Sequence, residues 1–150
     1  MQTQELQIFI DSSIKYFEKI TDAKAELGTP RLRDENDMLL DYSGVIGITG
    51  GLTGAIGLSA PQAMIEELMN YTNPNDDKSQ ENMKDITGEL ANIIAGQAQK
   101  SFSSEFDISI PVILTNKGSG ARMEMSEPTF IVPAKWKAHT FYLVIGLRKE

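Results

Sequence analysis

Two short β-rich runs face each other across Gly50-Gly51. Tyr42-Ser-Gly-Val-Ile-Gly-Ile-Thr49 precedes the glycine pair and Leu52-Thr-Gly-Ala-Ile-Gly-Leu-Ser59 follows it. A glycine pair that tolerates positive φ, set between strand-forming residues, predicts a β-hairpin. Ser59 then reads as the cap of a helix to about Asn70, with Pro61 in its first turn and Gln62 completing an S-x-x-Q capping box.

The rest of the chain alternates between helical and strand periodicity. Leu6, Phe9, Ile10, Ile14, Phe17 and Ile20 recur at helical spacing and predict an amphipathic helix over 4–24. Residues 27–41 are charged and interrupted by Gly28 and Pro30, a loop with a short strand at Pro30–Arg33. Tyr71–Lys78 is a polar loop, and Ser79 caps a second long helix over about 80–102, with Glu81 in its first turn. Phe106, Ile108, Ile110, Val112 and Leu114 then alternate strictly; Pro111 on the opposite face marks an edge strand or a bulge. Residues 116–122 read as a turn, and Met123–Val132 and Phe141–Leu147 as two further strands. Three helices and mostly hairpin-connected strands predict one two-layer α+β domain over 1–150. Its largely antiparallel sheet has five to six strands, with the helices packed on one face.

Composition narrows the chemistry. The chain has 150 residues and a net charge of −7, so no basic face for nucleic acid is expected. It has no cysteine, which excludes thiol catalysis and thiolate metal sites, and its single histidine, His139, cannot build a two-histidine metal site. No G-x-S-x-G elbow supports a serine triad, and no phosphate-binding glycine motif accompanies Gly50-Gly51. No basic leader is present and no apolar run approaches about 18 residues, so neither signal peptide nor membrane span is expected. Asp34–Asp37 and Asp76-Asp77 lack calcium-loop spacing and read as solvated loops. Met64, Met69 and Met83 read as core filler, and Trp136 and Phe141 as anchors of the last strand pair.

One helix carries polar residues in a pattern that packing does not require. On 83–101, Met83, Ile86, Leu90, Ile93 and Ile94 share a face, while Asp85, Glu89, Asn92 and Gly96 form a stripe roughly 130° away. The acid and the amide point outward together, and Gly96 leaves room for close approach. An amide can hold a water in line with phosphorus, and a carboxylate can pair with a lysine; both are positioning tasks needing no cofactor. Spacing alone does not select this pair, because Glu67-Leu-Met-Asn70 repeats E-x-x-N. That copy ends a shorter helix and has Ala63 where the other has Asp85, so it reads as a decoy. On spacing alone, a solvated polar helix face is by far the commoner reading of Glu89 and Asn92.

Asp85-Ile-Thr-Gly-Glu89-Leu-Ala-Asn92-Ile-Ile-Ala-Gly96 resembles the signature of the CheC/CheX/FliY family of CheY-phosphate phosphatases: Asp or Ser, three residues, Glu, two residues, Asn, and a proline well downstream. Phe106-Asp-Ile-Ser-Ile-Pro111 looks like the segment ending in that proline, although Asn92 and Pro111 are closer together than in the family. Val45-Ile-Gly-Ile-Thr-Gly-Gly51 looks like the paired strands that precede the signature in CheX. The resemblance implies a small, cytoplasmic, homodimeric phosphatase of the one-site CheX type, acting on the aspartyl phosphate of a CheY-like receiver. Glu89 would pair with the receiver lysine and Asn92 would orient the attacking water. Asp85, Gly88 and Gly96 would contact the partner. No cofactor of its own is implied, Mg2+ being expected on the receiver. The dimer would form through a sheet edge, with neither nucleic acid nor membrane as partner. A non-catalytic module of the same fold, docking a receiver or flagellar-switch component, is the alternative.

Overall fold

The hairpin lies at the centre of the fold. The structure is a computed structural model, which describes residues 3–34, 37, 39–103, 105–116 and 129–149. Strands β3 (Tyr42–Gly50) and β4 (Leu52–Ala60) pair from Tyr42↔Ala60 to Ile48↔Gly54, and Gly50 turns the chain at φ 118°. Beside β4 lies β8 (His139–Lys149), and beside β8 lies β7 (Phe130–Trp136). Two short strands, β1 (Ala25–Leu27) and β2 (Arg31–Leu32), line the outer edge of β7. At the other end, β5 (Phe106–Ile108) and β6 (Val112–Thr115) share the free edge of β3. All these pairings are antiparallel, and among the described residues they form an eight-stranded sheet ordered β1-β7-β8-β4-β3-β5.

Helices α1 (Thr3–Ile20), α2 (Gln62–Thr72) and α3 (Gln80–Ser101) cover one sheet face. Alternate strand residues supply the floor of that core: Ile46 and Ile48, Ile56 and Leu58, Val132 and Ala134, and Leu143 and Ile145. The period-2 rule makes this possible, since every second side chain faces the helices. Trp136 and Phe141 are fully buried beside Phe17, and Met64, Met69 and Met83 are buried as expected. The Trp136 indole N–H donates to Thr21 Oγ1 at 3.2 Å. The other sheet face carries a smaller cluster of Leu39, Ile131 and Val144.

The two-layer α+β reading therefore holds, with eight strands among the described residues instead of five to six. β1 and β2 are too short to show periodicity and exist through their pairing with β7. The alternating run 106–114 is not one strand. Ile48 pairs with Ile108 and Val45 with Val112, so three steps on β3 face four on the edge, which defines a bulge at 109–111. Helix α1 stops at Ile20, because the chain must bend to deliver Ala25–Leu27 to β7. The capping box at Ser59 is also corrected. Ser59 lies inside β4, where its hydroxyl accepts from Leu40 N and Ser43 Oγ, each at 2.8 Å. Asp41 Oδ2 instead accepts from Gln62 N at the start of α2, at 2.8 Å. Positions 117–122 of the expected turn, and 123–128 of the expected strand Met123–Val132, lie outside the described residues.

Candidate active site

Helix α3 is fixed at three places. Ser79 caps it, its hydroxyl accepting from Asn82 N at 3.1 Å. Along its buried side lie Met83, Ile86, Thr87, Leu90, Ala91, Ile94, Ala95 and Ala98. The third is a close approach to the sheet: a Cβ on Gly44 would stand 3.1 Å from both Ala91 Cβ and Thr87 O. Small residues thus draw α3 onto β3, and the buried Thr87 hydroxyl is satisfied by Met83 O at 2.8 Å.

The helix is rotated slightly from the sequence expectation. Large apolar residues alone placed Ile93 in the packed face, but it is only half-buried, while Thr87, Ala91, Ala95 and Ala98 are buried. By helical arithmetic the polar stripe then lies about 180° from the packed face. Asp85, Glu89 and Asn92 are all exposed. Among the described residues, none of the three makes a hydrogen bond or ion pair within the chain. Among the described residues nothing comes within 4 Å of a Cβ built on Gly96, which is itself half-buried at that end of the stripe. Gly88 differs: it is half-buried on the flank, with Ile113 Cδ1 3.5 Å from where its Cβ would be.

Two neighbours of the stripe escape sequence reasoning. On one side is Tyr16 of α1, whose phenol pKa is pushed up by burial first and by the Glu89 charge second. Phe9 of α1 packs on Phe102 at the far end of α3, with ring centroids 5.6 Å apart, so the two helices run antiparallel. The other side is the bulged edge, where Gln99 Nε2 donates to Phe106 O at 3.1 Å. Both contacts are tertiary, and no local spacing announces them.

The second E-x-x-N copy has a different environment. Glu67 Oε1 lies 2.7 Å from His139 Nε2, and Glu67 Oε2 lies 3.1 Å from Lys137 Nζ. Those two contacts, with the His139 hydrogen bond the larger, hold the Glu67 carboxyl below the usual carboxylate range. Asn70 Oδ1 accepts from Lys78 Nζ at 2.8 Å. Both functional groups are therefore engaged inside the chain. Among the described residues, no cluster of three or more His, Asp, Glu and Cys side chains could hold a metal, and no helix is long and apolar enough to cross a membrane.

Residues 42–135 match the family described as chemotaxis phosphatase CheX, and the chain belongs to that family. Among solved structures, a CheC-like superfamily protein from Shewanella sp. PV-4 is 26% identical, with a TM-score of 0.85 over 99% of each chain. CheX from Vibrio vulnificus is 19% identical, with a TM-score of 0.83 over 97% of this chain and 100% of that one. A protein in the CheX–CheY–BeF3–Mg2+ complex from Borrelia burgdorferi is 19% identical, with a TM-score of 0.75 over 99% of this chain and 100% of the other. No curated protein matches the chain.

Proposed function

We propose that this chain hydrolyses the aspartyl phosphate of a CheY-like receiver, with Asn92 and Glu89 as its working groups. The observation that carries this reading is the exposed acid–amide pair on α3, which makes no hydrogen bond or ion pair among the described residues, in a helix whose other half is tightly packed. Membership of the CheX family supports the reaction class, and the Borrelia burgdorferi complex supports a CheY-like partner.

An aspartyl phosphate is a mixed anhydride already activated toward water, so what a partner can add is the positioning of that water. In the proposed reaction the Asn92 carboxamide holds a water in line with the P–O bond to the aspartate. Water oxygen bonds to phosphorus, the bond to the aspartyl oxygen breaks, and its electron pair restores the receiver carboxylate. One proton of the water stays on the attacking oxygen as a hydroxyl of inorganic phosphate, and the other passes to a second phosphate oxygen or to solvent. Glu89 pairs with the receiver lysine and fixes the docked geometry, while Asp85, Gly88 and Gly96 border the contact. The metal, Mg2+, belongs to the receiver, and this chain contributes no cofactor. The reading assigns the chain to the cytoplasm, as a homodimer joined through a sheet edge.

Replacing Asn92 with alanine tests the assignment. The side chain is exposed, so Asn92→Ala should keep the wild-type melting temperature while accelerated phosphate release falls by about 10²-fold or more. Full activity of that variant on a receiver that the wild type dephosphorylates would sink the role of Asn92. Binding of phosphorylated receiver by the wild type, with no change in its dephosphorylation rate, would favour the non-catalytic module.

A further inference from the structure

The edge strand beside α3 presents a side chain that its own packing does not explain. Ile110 is 86% exposed, far more than its neighbours Ile108 and Val112 at 36% and 58%. It is held outward by construction. Ser109 N donates to Gly47 O at 2.9 Å, and Gly47 N donates to Ser109 Oγ at 2.8 Å. Those bonds pin the bulge to β3, and Pro111 follows directly. Bulges recur beside functional sites because they re-aim a side chain.

The bulge lies level with the acid–amide pair. Ile113 packs against Gly88 at one end of the edge, and Gln99 reaches Phe106 O at the other. The edge therefore runs antiparallel along α3 between these two ties, and 109–111 fall midway, opposite the turn that begins at Asn92. Gly88, Asn92 and Gln99 share one flank of the helix (i, i+4, i+11), within about 40° of one another.

We propose that Ile110 is a docking residue for the phosphorylated receiver, an apolar anchor that seats the partner beside Asn92. The inference rests on the function proposed above and adds a specificity determinant to the same site. A polar stripe alone gives weak, readily hydrated contacts, whereas one desolvated aliphatic side chain can carry a large share of binding. A second copy of this chain is the less suitable occupant. Strand addition needs a continuous ladder, and here the ladder is interrupted by the bulge and by a proline with no N–H to donate.

The experiment compares wild type, Ile110→Ser and Ile110→Leu on the CheY-like receiver that the wild type dephosphorylates fastest. Affinity is titrated with that receiver loaded with BeF3 and Mg2+. Ile110→Ser should raise KM and the titrated Kd by about tenfold, with the loss in KM rather than kcat, while Ile110→Leu stays near wild type. An unchanged Kd for Ile110→Ser overturns the proposal. So does a loss confined to kcat, or a dimer that becomes monomeric with KM unchanged. Asn92→Ala, run alongside, separates the two readings. If Asn92→Ala is inactive and Ile110→Ser binds as wild type, only the anchor fails; if Asn92→Ala is fully active, the assignment of Asn92 fails, whatever Ile110 does.

Discussion

At the scale of single residues, two identical spacings have opposite fates. Glu89 and Asn92 face solvent, whereas Glu67 sits between Lys137 and His139. Lys137 occupies one position of the β7–β8 turn at φ 54°, a left-handed conformation that side chains other than glycine adopt at a cost. It is held there by the Tyr71 hydroxyl, by Glu67, and by the Tyr71 and Trp136 rings, 4.7 and 5.4 Å away. The Tyr71 hydroxyl, then Glu67, raises the Lys137 pKa. Because the folded-state pKa of Glu67 lies below its unfolded value, its stabilisation is present above the ordinary carboxylate range and is lost as pH falls through the folded value. Glu67→Gln should therefore melt about 2 °C below wild type at neutral pH, a small difference because the side chain is a third exposed. That gap should close in acid, as the pH falls below the ordinary carboxylate range and through the lowered Glu67 value, with phosphatase activity at neutral pH unaffected. A gap that persists in acid, where the carboxyl is protonated, would contradict the assignment. Local sequence could not reveal this division of labour. The partners of Glu67 lie some 70 positions later, and nearby only the end of a shorter helix and Ala63 in place of Asp85 set the two copies apart.

At the scale of elements, what was legible depended on whether its cause was local. Ser79 and its helix could be read because cap and capped amide are three residues apart. Ser59 showed the same signal and misled, since its hydroxyl is committed to residues 16 and 19 positions away. The run 106–114 looked like one strand because its alternation survives the bulge in sequence; only the register against β3 exposes the extra residue. The outward stripe was legible from large apolar residues, but the orientation of α3 is set by small ones, above all Gly44 beneath Ala91 and Thr87. Gly44→Val should force α3 away from β3 and lower stability by about 1–3 kcal/mol. Urea unfolding would register this as a reduced midpoint at unchanged slope. Phosphate release should fall as well, because the acid–amide pair moves with the helix. Wild-type stability in that variant would mean α3 is not anchored at this contact.

At the scale of the molecule, the sheet ends in two edges of different character. One is bulged and carries Pro111 beside the candidate site. The other is formed by β1 and β2, tied to β7 through Gly28 N to Pro133 O at 2.7 Å and Arg33 N to Thr129 O at 2.8 Å. Leu27 and Leu32 stand exposed on this second edge, Leu32 at 59%. Among the described residues no strand pairs with the outer side of β1 and β2, and an exposed edge with leucines is what self-association would use. β7 and β8 separate this edge from the strands under α3. Each chain carries a net charge of −7, so two copies repel and added salt should strengthen their association by screening. Sedimentation at micromolar concentration should accordingly give the mass of two chains, more completely at high salt. Leu32→Asp should return a monomer that still dephosphorylates the receiver at the wild-type rate per chain, since the acid–amide pair lies on α3, away from this edge. A wild-type monomer at every salt concentration would remove the dimer, and a Leu32→Asp variant that remains dimeric would move it to another surface.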